Sequence, residues 1–474
     1  MEKIQAYLSL VDPRLLHHVK GKPGEFIHLF REKKYESEDA FAQRVCDGKH
    51  AKAHYRNLKS RTIRILQSLA VMSPSKGGSE LKKNYDTAIK KFAVAQKLLN
   101  KCHRTEGIQL IKQIHEIAMA YDFVHLACET SSILYHDTLY YQADEDQAER
   151  YARQTEQFLA DYTAEKKAQY LFYKLSKKAN RGLRSDDCKK AIKYLSRYKS
   201  DSIRFKSYVY RLNIVYGLHM GDYPLVVKKC SEALEFFKGR KGVYRSTYQF
   251  FFQERGIARM ALSSYADADH DFVTAMQYAP TNSLNEQALR YYQTLNALHS
   301  GKYQEAHDLF KQHKDCRVQR LRDEFAIIEA HLCFLTAQGY LELDQPFRMS
   351  NDLKKLLKTP LRKKRGNIAL ATAMLLVYLV RDRSMFIPLV KQVKKYSTRH
   401  RKSKGMARAK LFIKILSLMP KANFLSLTLQ QSAKKHIQAL QAHPISMGTN
   451  VAIEIIPYHI LVEMMVGNGK SIQL

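Results

Sequence analysis

Apolar residues recur every three or four positions along most of this chain. In residues 82–100, for example, Tyr85, Ile89, Phe92, Ala95 and Leu99 fall three or four positions apart. That spacing places them on one face of an α-helix, and similar spacing recurs in residues 108–120 and 325–343. The alternation of apolar and polar residues that a strand needs is almost missing. The pattern therefore predicts an all-α fold without a β-sheet.

Small and aromatic residues recur in a fixed order in the middle of the chain. In residues 252–280, Gly256 lies in a predicted first helix and Tyr265 follows the turn after it. Ala268, Phe272 and Ala275 then fall in a second helix that ends at Pro280. Two further units repeat this order less completely. The positions predicted to pack these units are Gly221, Tyr223, Gly256, Tyr265, Ala268, Phe272, Ala275, Pro280, Gly301, Tyr303, Ala306 and Phe310.

These units resemble tetratricopeptide (TPR) repeats, most specifically over residues 205–315. In that family, small residues let paired helices approach, the aromatic residue fills the groove between them, and the proline ends the second helix. One helical hairpin cannot bury its apolar faces alone, so the resemblance implies a TPR-like α-solenoid of stacked hairpins. Tyr223, Tyr265 and Tyr303 are 42 and 38 residues apart, whereas the family period is 34. We therefore expect a less regular superhelix.

Stretches of loop-forming residues and changes in composition predict four segments. Residues 1–72 form a small N-terminal helical domain, which could be helix-turn-helix-like, and residues 73–80 are a linker rich in Ser, Gly and Pro. Residues 81–350 hold the TPR-like repeats, and residues 351–474 form strongly basic C-terminal helical hairpins.

Charge is distributed in blocks. The net charge of +34 favours association with polyanions, although it carries no information about the fold. Residues 351–450 contribute +20 of it, and other basic blocks lie in residues 52–101 and 166–206. Such blocks are what a binding surface would need, and they make a nucleic-acid partner possible.

Two basic segments are candidates for binding phosphate. In the N-terminal domain, Tyr55, Leu58, Ile65 and Leu69 form an apolar stripe of a helix whose other side is basic. That helix could be the second helix of a helix-turn-helix or an ordinary solvated surface. The C-terminal basic block leaves the same two alternatives. The candidate phosphate-binding residues are Lys52, Arg56, Lys59, Arg64, Arg362, Lys363, Lys364, Arg365, Arg399, Arg401 and Lys402.

Signals of catalysis are weak. His115-Glu116 lacks the second histidine that a zinc-protease helix needs, because Met119 stands at that position. Residues 467–471 resemble the end of a phosphate-binding loop, but Met464 replaces its first glycine. We therefore expect no enzymatic activity, no catalytic or metal-binding residues and no cofactor.

The cysteines and the apolar runs bear on location. Seven cysteines without metal-like spacing predict free thiols in a reducing compartment. The most apolar uncharged run, residues 367–380, is too short to span a bilayer and predicts a buried helix. These features indicate a cytoplasmic protein without a membrane span.

The leading interpretation is a non-enzymatic interaction scaffold that binds a protein or peptide partner in a TPR-like groove. First-helix residues would line that groove: Tyr210, Asn213, Gln253 and Tyr292. The alternative is a nucleic-acid-associated regulator that uses the basic N-terminal helix and the basic C-terminal block. Neither the partner's identity nor the pathway follows from the sequence.

Overall fold

The computed structural model describes residues 2–32, 37–46, 51–73, 78–179, 183–313, 319–358, 368–399, 407–445 and 453–466. Across these ranges the protein consists of helices and turns and contains no strand, which confirms the predicted all-α class. None of the helices in them is long and apolar enough to cross a bilayer. The chain divides into two compact units, Met1–Leu159 and Ala160–Leu474.

Among its described residues, the first unit contains eight helices and the start of a ninth. They are α1 (Glu2–Leu10), α2 (Pro13–Leu16), α3 (Lys22–Glu32), α4 (Glu38–Val45), α5 (Ala51–Met72), α6 (Glu80–Asn100), α7 (Arg104–Ala120) and α8 (Val124–Asp137). A π-helical turn, Thr138–Gln142, extends α8, and the long α9 (Glu145–Ala179) runs on into the second unit. Two apolar cores form here, one among α1–α5 and one among α6–α9. Of the predicted linker, residues 73–80, the structure describes Ser73 and residues 78–80, and Glu80 is already the first residue of α6.

The apolar stripe of α5 differs from the predicted one. Tyr55 and Leu58 are buried as expected, but Leu66 is fully buried where Ile65 is only half-buried. Thr62 completes the buried stripe, because its hydroxyl donates to the Leu58 carbonyl at 2.8 Å and so needs no water. The spacing of apolar residues alone misplaced the stripe, since a buried threonine is not apolar.

In the part of the second unit that the structure describes, the rest of α9 is followed by fourteen further helices. The first seven are α10 (Ser185–Leu195), α11 (Ile203–Met220), α12 (Tyr223–Phe237), α13 (Arg245–Ala261), α14 (Tyr265–Tyr278), α15 (Leu284–His299) and α16 (Tyr303–His313). The others are α17 (Gln319–Ala337), α18 (Asn351–Leu357), α19 (Ile368–Arg381), α20 (Arg383–Arg399), α21 (Ala407–Leu418), α22 (Ser426–Ala442) and α23 (Tyr458–Val466). One continuous apolar core extends from α11 to α23.

Helices α11 to α16 pair as three hairpins, α11/α12, α13/α14 and α15/α16, each joined by a short turn. Gly221 caps α11 in the left-handed conformation, with φ 73°, and Gly301 has φ 77° in the third turn. In the second turn Ser263 adopts φ 63° instead. Each first helix also contacts the first helix of the next hairpin.

Close packing of α13 against α14 depends on the glycine at position 256. A Cβ atom at Gly256 would lie 2.7 Å from the Phe272 ring, so the ring occupies the space that glycine leaves. The other predicted packing positions vary in burial. The fully buried positions are Ala268, Phe272, Ala275 and Ala306, and Tyr223 and Phe310 are almost fully buried. Tyr265 and Tyr303 are half-buried, and Gly221, Pro280 and Gly301 are exposed.

An ion cluster reinforces the same seam. The Asp271 carboxylate on α14 is fully buried and accepts hydrogen bonds from Arg255 and Arg259 on α13, the shortest at 2.7 Å each. Arg255 also donates to the Ser231 hydroxyl on α12 at 3.1 Å. Both oxygens of the buried carboxylate are therefore satisfied, and three helices are held in register.

A second buried ion pair fixes the C-terminal helices. Arg408 on α21 contacts Glu454 at 2.6 Å and donates to the Leu440 and His443 carbonyls. The Glu454 carbonyl in turn lies 2.7 Å from Nε2 of His299 on α15. This cluster ties residues 453–466 back to the third hairpin.

Candidate partner-binding row

The residues predicted to line a groove differ in what surrounds them. The Tyr210 ring lies 6.3 Å from both Phe237 and Phe251, and Tyr292 stacks on Phe272 at 5.9 Å. Both tyrosines therefore contribute to the seams between helices. Asn213 is half-buried and donates to the Val209 carbonyl of its own helix at 2.8 Å.

Gln253 is half-buried on α13, and both Gln253 and Glu254 follow Phe250 by about one helical turn. Two side chains of α11, Tyr208 and Arg211, complete a set on neighbouring first helices that is half-buried throughout. We call this set the first-helix row: Tyr208, Arg211, Phe250, Gln253 and Glu254.

Arg211 connects the two helices of the row. Its guanidinium carbon lies 3.8 Å from the centre of the Phe250 ring, within cation–π distance. Its Nε donates to the Ser207 hydroxyl at 3.3 Å, the one hydrogen bond of this guanidinium to the residues described. Because guanidinium carries five N–H donors, most of its capacity remains for another acceptor.

Glu254 is the acidic member of the row. Burial raises the pKa of its carboxyl group to about 7, and the nearby charge of Arg211 opposes that rise. In the ranges that the structure describes, this carboxylate accepts no hydrogen bond. A partly desolvated carboxylate without a donor is poised to accept one from a bound molecule.

Tyr208 closes the row towards α9. Its ring lies 5.6 Å from Phe172 and 6.0 Å from Tyr173. Burial, together with a hydrogen bond to Tyr173, raises the pKa of the Tyr208 hydroxyl to about 12, so it stays protonated and can donate. The row thus presents two aromatic rings, a guanidinium cation and a carboxyl group.

The sequence analysis named Gln253 as a groove residue, which stays a prediction, and it gave no signal for Arg211 or Glu254. A charged residue on a helix looks the same in the sequence whether it faces water or a neighbouring helix. Only the contact between α11 and α13 places Arg211 on Phe250.

The predicted phosphate-binding residues of α5 are only partly available. Lys52, Arg56 and Arg64 are exposed. Lys59 is half-buried and forms an ion pair with Glu38 on α4, so a phosphate would have to compete with that carboxylate. The hydrogen bond from Lys59 in turn lowers the pKa of Glu38.

Most of the predicted C-terminal phosphate-binding residues lie outside the described ranges: Arg362, Lys363, Lys364, Arg365, Arg401 and Lys402. Arg399 is the last residue of α20, and its side chain lies outside the description as well. Nucleic-acid binding by this block stays a prediction.

A concavity lies elsewhere in the second unit, between α16, α17 and the segment before α18. It encloses about 970 Å³ and is lined by both acidic and basic side chains. Its Glu329 carboxylate accepts from the backbone N–H and the hydroxyl of Ser350, at 2.6 and 2.5 Å, and so positions the start of α18. Glu329 therefore has a structural role.

No group of three or more His, Cys, Asp or Glu side chains is arranged to hold a metal ion in the described parts of the chain. Comparison with models of known protein families gives no match for this sequence. Comparison with curated proteins gives no significant match either.

Proposed function

We propose that this protein is a non-enzymatic scaffold that binds an extended peptide segment of a protein partner along the first-helix row. The observation that carries the proposal is that the charge of Arg211 on α11 acts on the Glu254 carboxyl group on α13 although the two form no ion pair with each other. Their charges lie close together, yet Glu254 accepts no hydrogen bond from the residues described. Each group can therefore still recognise part of a peptide.

The chemistry of the row matches a peptide backbone with a basic side chain. Arg211 can donate to a backbone carbonyl or a carboxylate, and Glu254 can accept from a backbone N–H, a lysine or an arginine. The rings of Phe250 and Tyr208 add apolar contact area at a low cost in conformational entropy. A row of this kind fits one extended chain better than it fits a compact small molecule.

We further propose that α11–α16 belong to a TPR-like solenoid, in which first helices form the binding surface. The three hairpins, their glycine-containing turns and the Gly256–Phe272 seam support this assignment. In the resembled family the stacked array supplies rigidity, and side chains of the first helices make the contacts. The row would then be one section of a longer surface.

Panning of the full chain against phage-displayed random peptides tests the proposal. Wild type should enrich a consensus that contains a basic residue, and the double variant Arg211→Ala/Glu254→Gln should not. The matched control Arg197→Ala/Glu235→Gln alters two exposed charges outside the row and should enrich the same consensus. Failure of wild type to enrich any peptide, or equal enrichment by the double variant, would contradict the proposal.

A further inference from the structure

Within the second unit, helix α9 has one side that packs and one that does not. Ala164, Ala168 and Leu175 are at most 3% exposed and join the core formed with α10 and α11. The opposite side is exposed, and its residues recur at the three- and four-residue spacing of a single helix face. We call this the lysine–tyrosine face: Lys166, Lys167, Tyr170, Tyr173, Lys174 and Lys177.

This face is strongly cationic. It holds four lysines and no carboxylate over about three turns of helix, or roughly 16 Å. The nearest acidic residues of α9 point elsewhere: Glu165 is 4% exposed and accepts from the Ser202 hydroxyl, and Asp161 is half-buried. Lys178, just beyond the face, is neutralised by Asp187 at 3.5 Å.

The two tyrosines of the face are unusually open. Tyr170 is 60% exposed and Tyr173 is 57% exposed. Lys174 lies 5.4 Å from the Tyr170 ring centre, and the same Tyr–Lys spacing two turns earlier places Lys166 at 4.9 Å from the Tyr162 ring. Positive charge therefore stands beside aromatic surface in a repeating order along the helix.

We propose that the lysine–tyrosine face binds single-stranded nucleic acid, with the lysines on phosphates and the tyrosine rings stacked on unpaired bases. Proteins that bind single strands without sequence preference combine these two features, a positive track for the backbone and aromatic platforms for the bases. A duplex keeps its bases stacked on one another and would leave the tyrosines unused. An anionic membrane surface needs Leu, Phe or Trp to insert, and none of these residues belongs to the face.

The proposal is independent of the peptide-binding row. The face adjoins the row where Tyr173 meets Tyr208, but none of the residues changed below belongs to the row. It also differs from the α5 and C-terminal segments that the sequence singled out for phosphate binding.

The test uses the full chain and a fluorescein-labelled 15-mer of uridylate, with binding followed by fluorescence anisotropy at several salt concentrations. Changing all four lysines to Gln should weaken binding strongly and lower the slope of log K against log salt by roughly 2–3, because each phosphate that a lysine neutralises contributes about 0.7 to that slope. The matched control, Gln at Lys228, Lys238, Lys241 and Lys311, removes the same charge from exposed sites of the same unit that lie outside the basic blocks named in the sequence. Equally weakened binding in the control would overturn the proposal, because charge alone would then explain the binding.

The tyrosine arm separates stacking from charge. Tyr170→Ala should weaken binding by roughly 5- to 150-fold, the range expected for removal of one base–aromatic stack. Tyr170→Phe keeps the ring and should bind like wild type. Unchanged binding in Tyr170→Ala would contradict the proposal, as would tighter binding to a 15-base-pair duplex or to phosphatidylserine vesicles. Circular dichroism melting of each variant identifies any weakening that comes from unfolding.

Discussion

The two faces of helix α13 differ in how they treat charge. On the face towards α14, Arg255 and Arg259 surround the buried Asp271 carboxylate, and Phe272 fills the space left by Gly256. On the face towards α11, Arg211 stacks on Phe250, while Glu254 remains without a hydrogen bond to the residues described. The first face is saturated by its own neighbours, and the second retains bonding capacity. Changes on the first should therefore affect folding, and changes on the second should affect binding.

The largest effect should come from Asp271→Ala. Removal of this carboxylate leaves two partly buried guanidinium groups without their counter-charge, which typically costs about 3–5 kcal/mol in the free energy of unfolding. Urea denaturation followed by circular dichroism measures the destabilisation. Asp269→Ala, at a half-buried position of the same helix, is the control and should change stability by less than about 1 kcal/mol. A similar destabilisation in both variants would show that the cluster is not specific.

Gly256→Ala should destabilise the protein by about 1–3 kcal/mol, since the new methyl group would overlap the Phe272 ring. The double variant Gly256→Ala/Phe272→Leu should be destabilised by less than the sum of the two single variants, because the smaller side chain relieves the overlap. Thermal and urea unfolding of the three proteins checks this. Strict additivity would mean that the two positions do not share a seam.

The next prediction concerns pH. The carboxyl pKa of Glu254 rises from 4.5 to about 7 on folding, so between these values the folded state binds more protons than the unfolded state. The contribution of this group to stability is therefore fully present below pH 4.5 and is lost as the pH rises through 7. Urea unfolding at pH 5.5 and pH 8 should show a larger fall for wild type than for Glu254→Gln. Equal falls would mean that Glu254 is well solvated.

The contributions of His299 and His331 to stability change with pH in the opposite direction. Burial lowers the pKa of both imidazoles to about 4, so their contribution is lost as the pH falls below about 6.5. Both histidines are present in wild type and in Glu254→Gln, so the difference between the two proteins isolates the carboxylate.

The smallest effect on stability should come from Arg211→Ala. Removing its interaction with Phe250 should cost about 0.5–1 kcal/mol, as for other partly exposed cation–π pairs. Peptide binding should nevertheless fall strongly, because the row no longer has its cation. A destabilisation above about 3 kcal/mol in urea unfolding would place Arg211 with the structural residues.

The sequence predicted which residues pack between helices better than it predicted the side of a helix on which a given residue lies. The positions of Gly256 and Phe272 followed from residue spacing, because close helix packing leaves few alternatives to a small residue opposite a ring. Tyr210 and Tyr292 were correctly placed on first helices, but the side of the helix on which each lies depends on how the helices rotate against one another. Glu254 gave no signal, since its unusual environment arises from burial and from a residue 43 positions earlier, Arg211.

The most direct test of the first-helix row uses one peptide enriched by panning. Its affinity for wild type, Arg211→Ala and the control Arg197→Ala is measured by fluorescence polarisation. Arg211→Ala should raise Kd at least about tenfold, as expected for a residue central to an interface, whereas Arg197→Ala should stay within about twofold of wild type. Equal dissociation constants for wild type and Arg211→Ala would show that the peptide binds elsewhere.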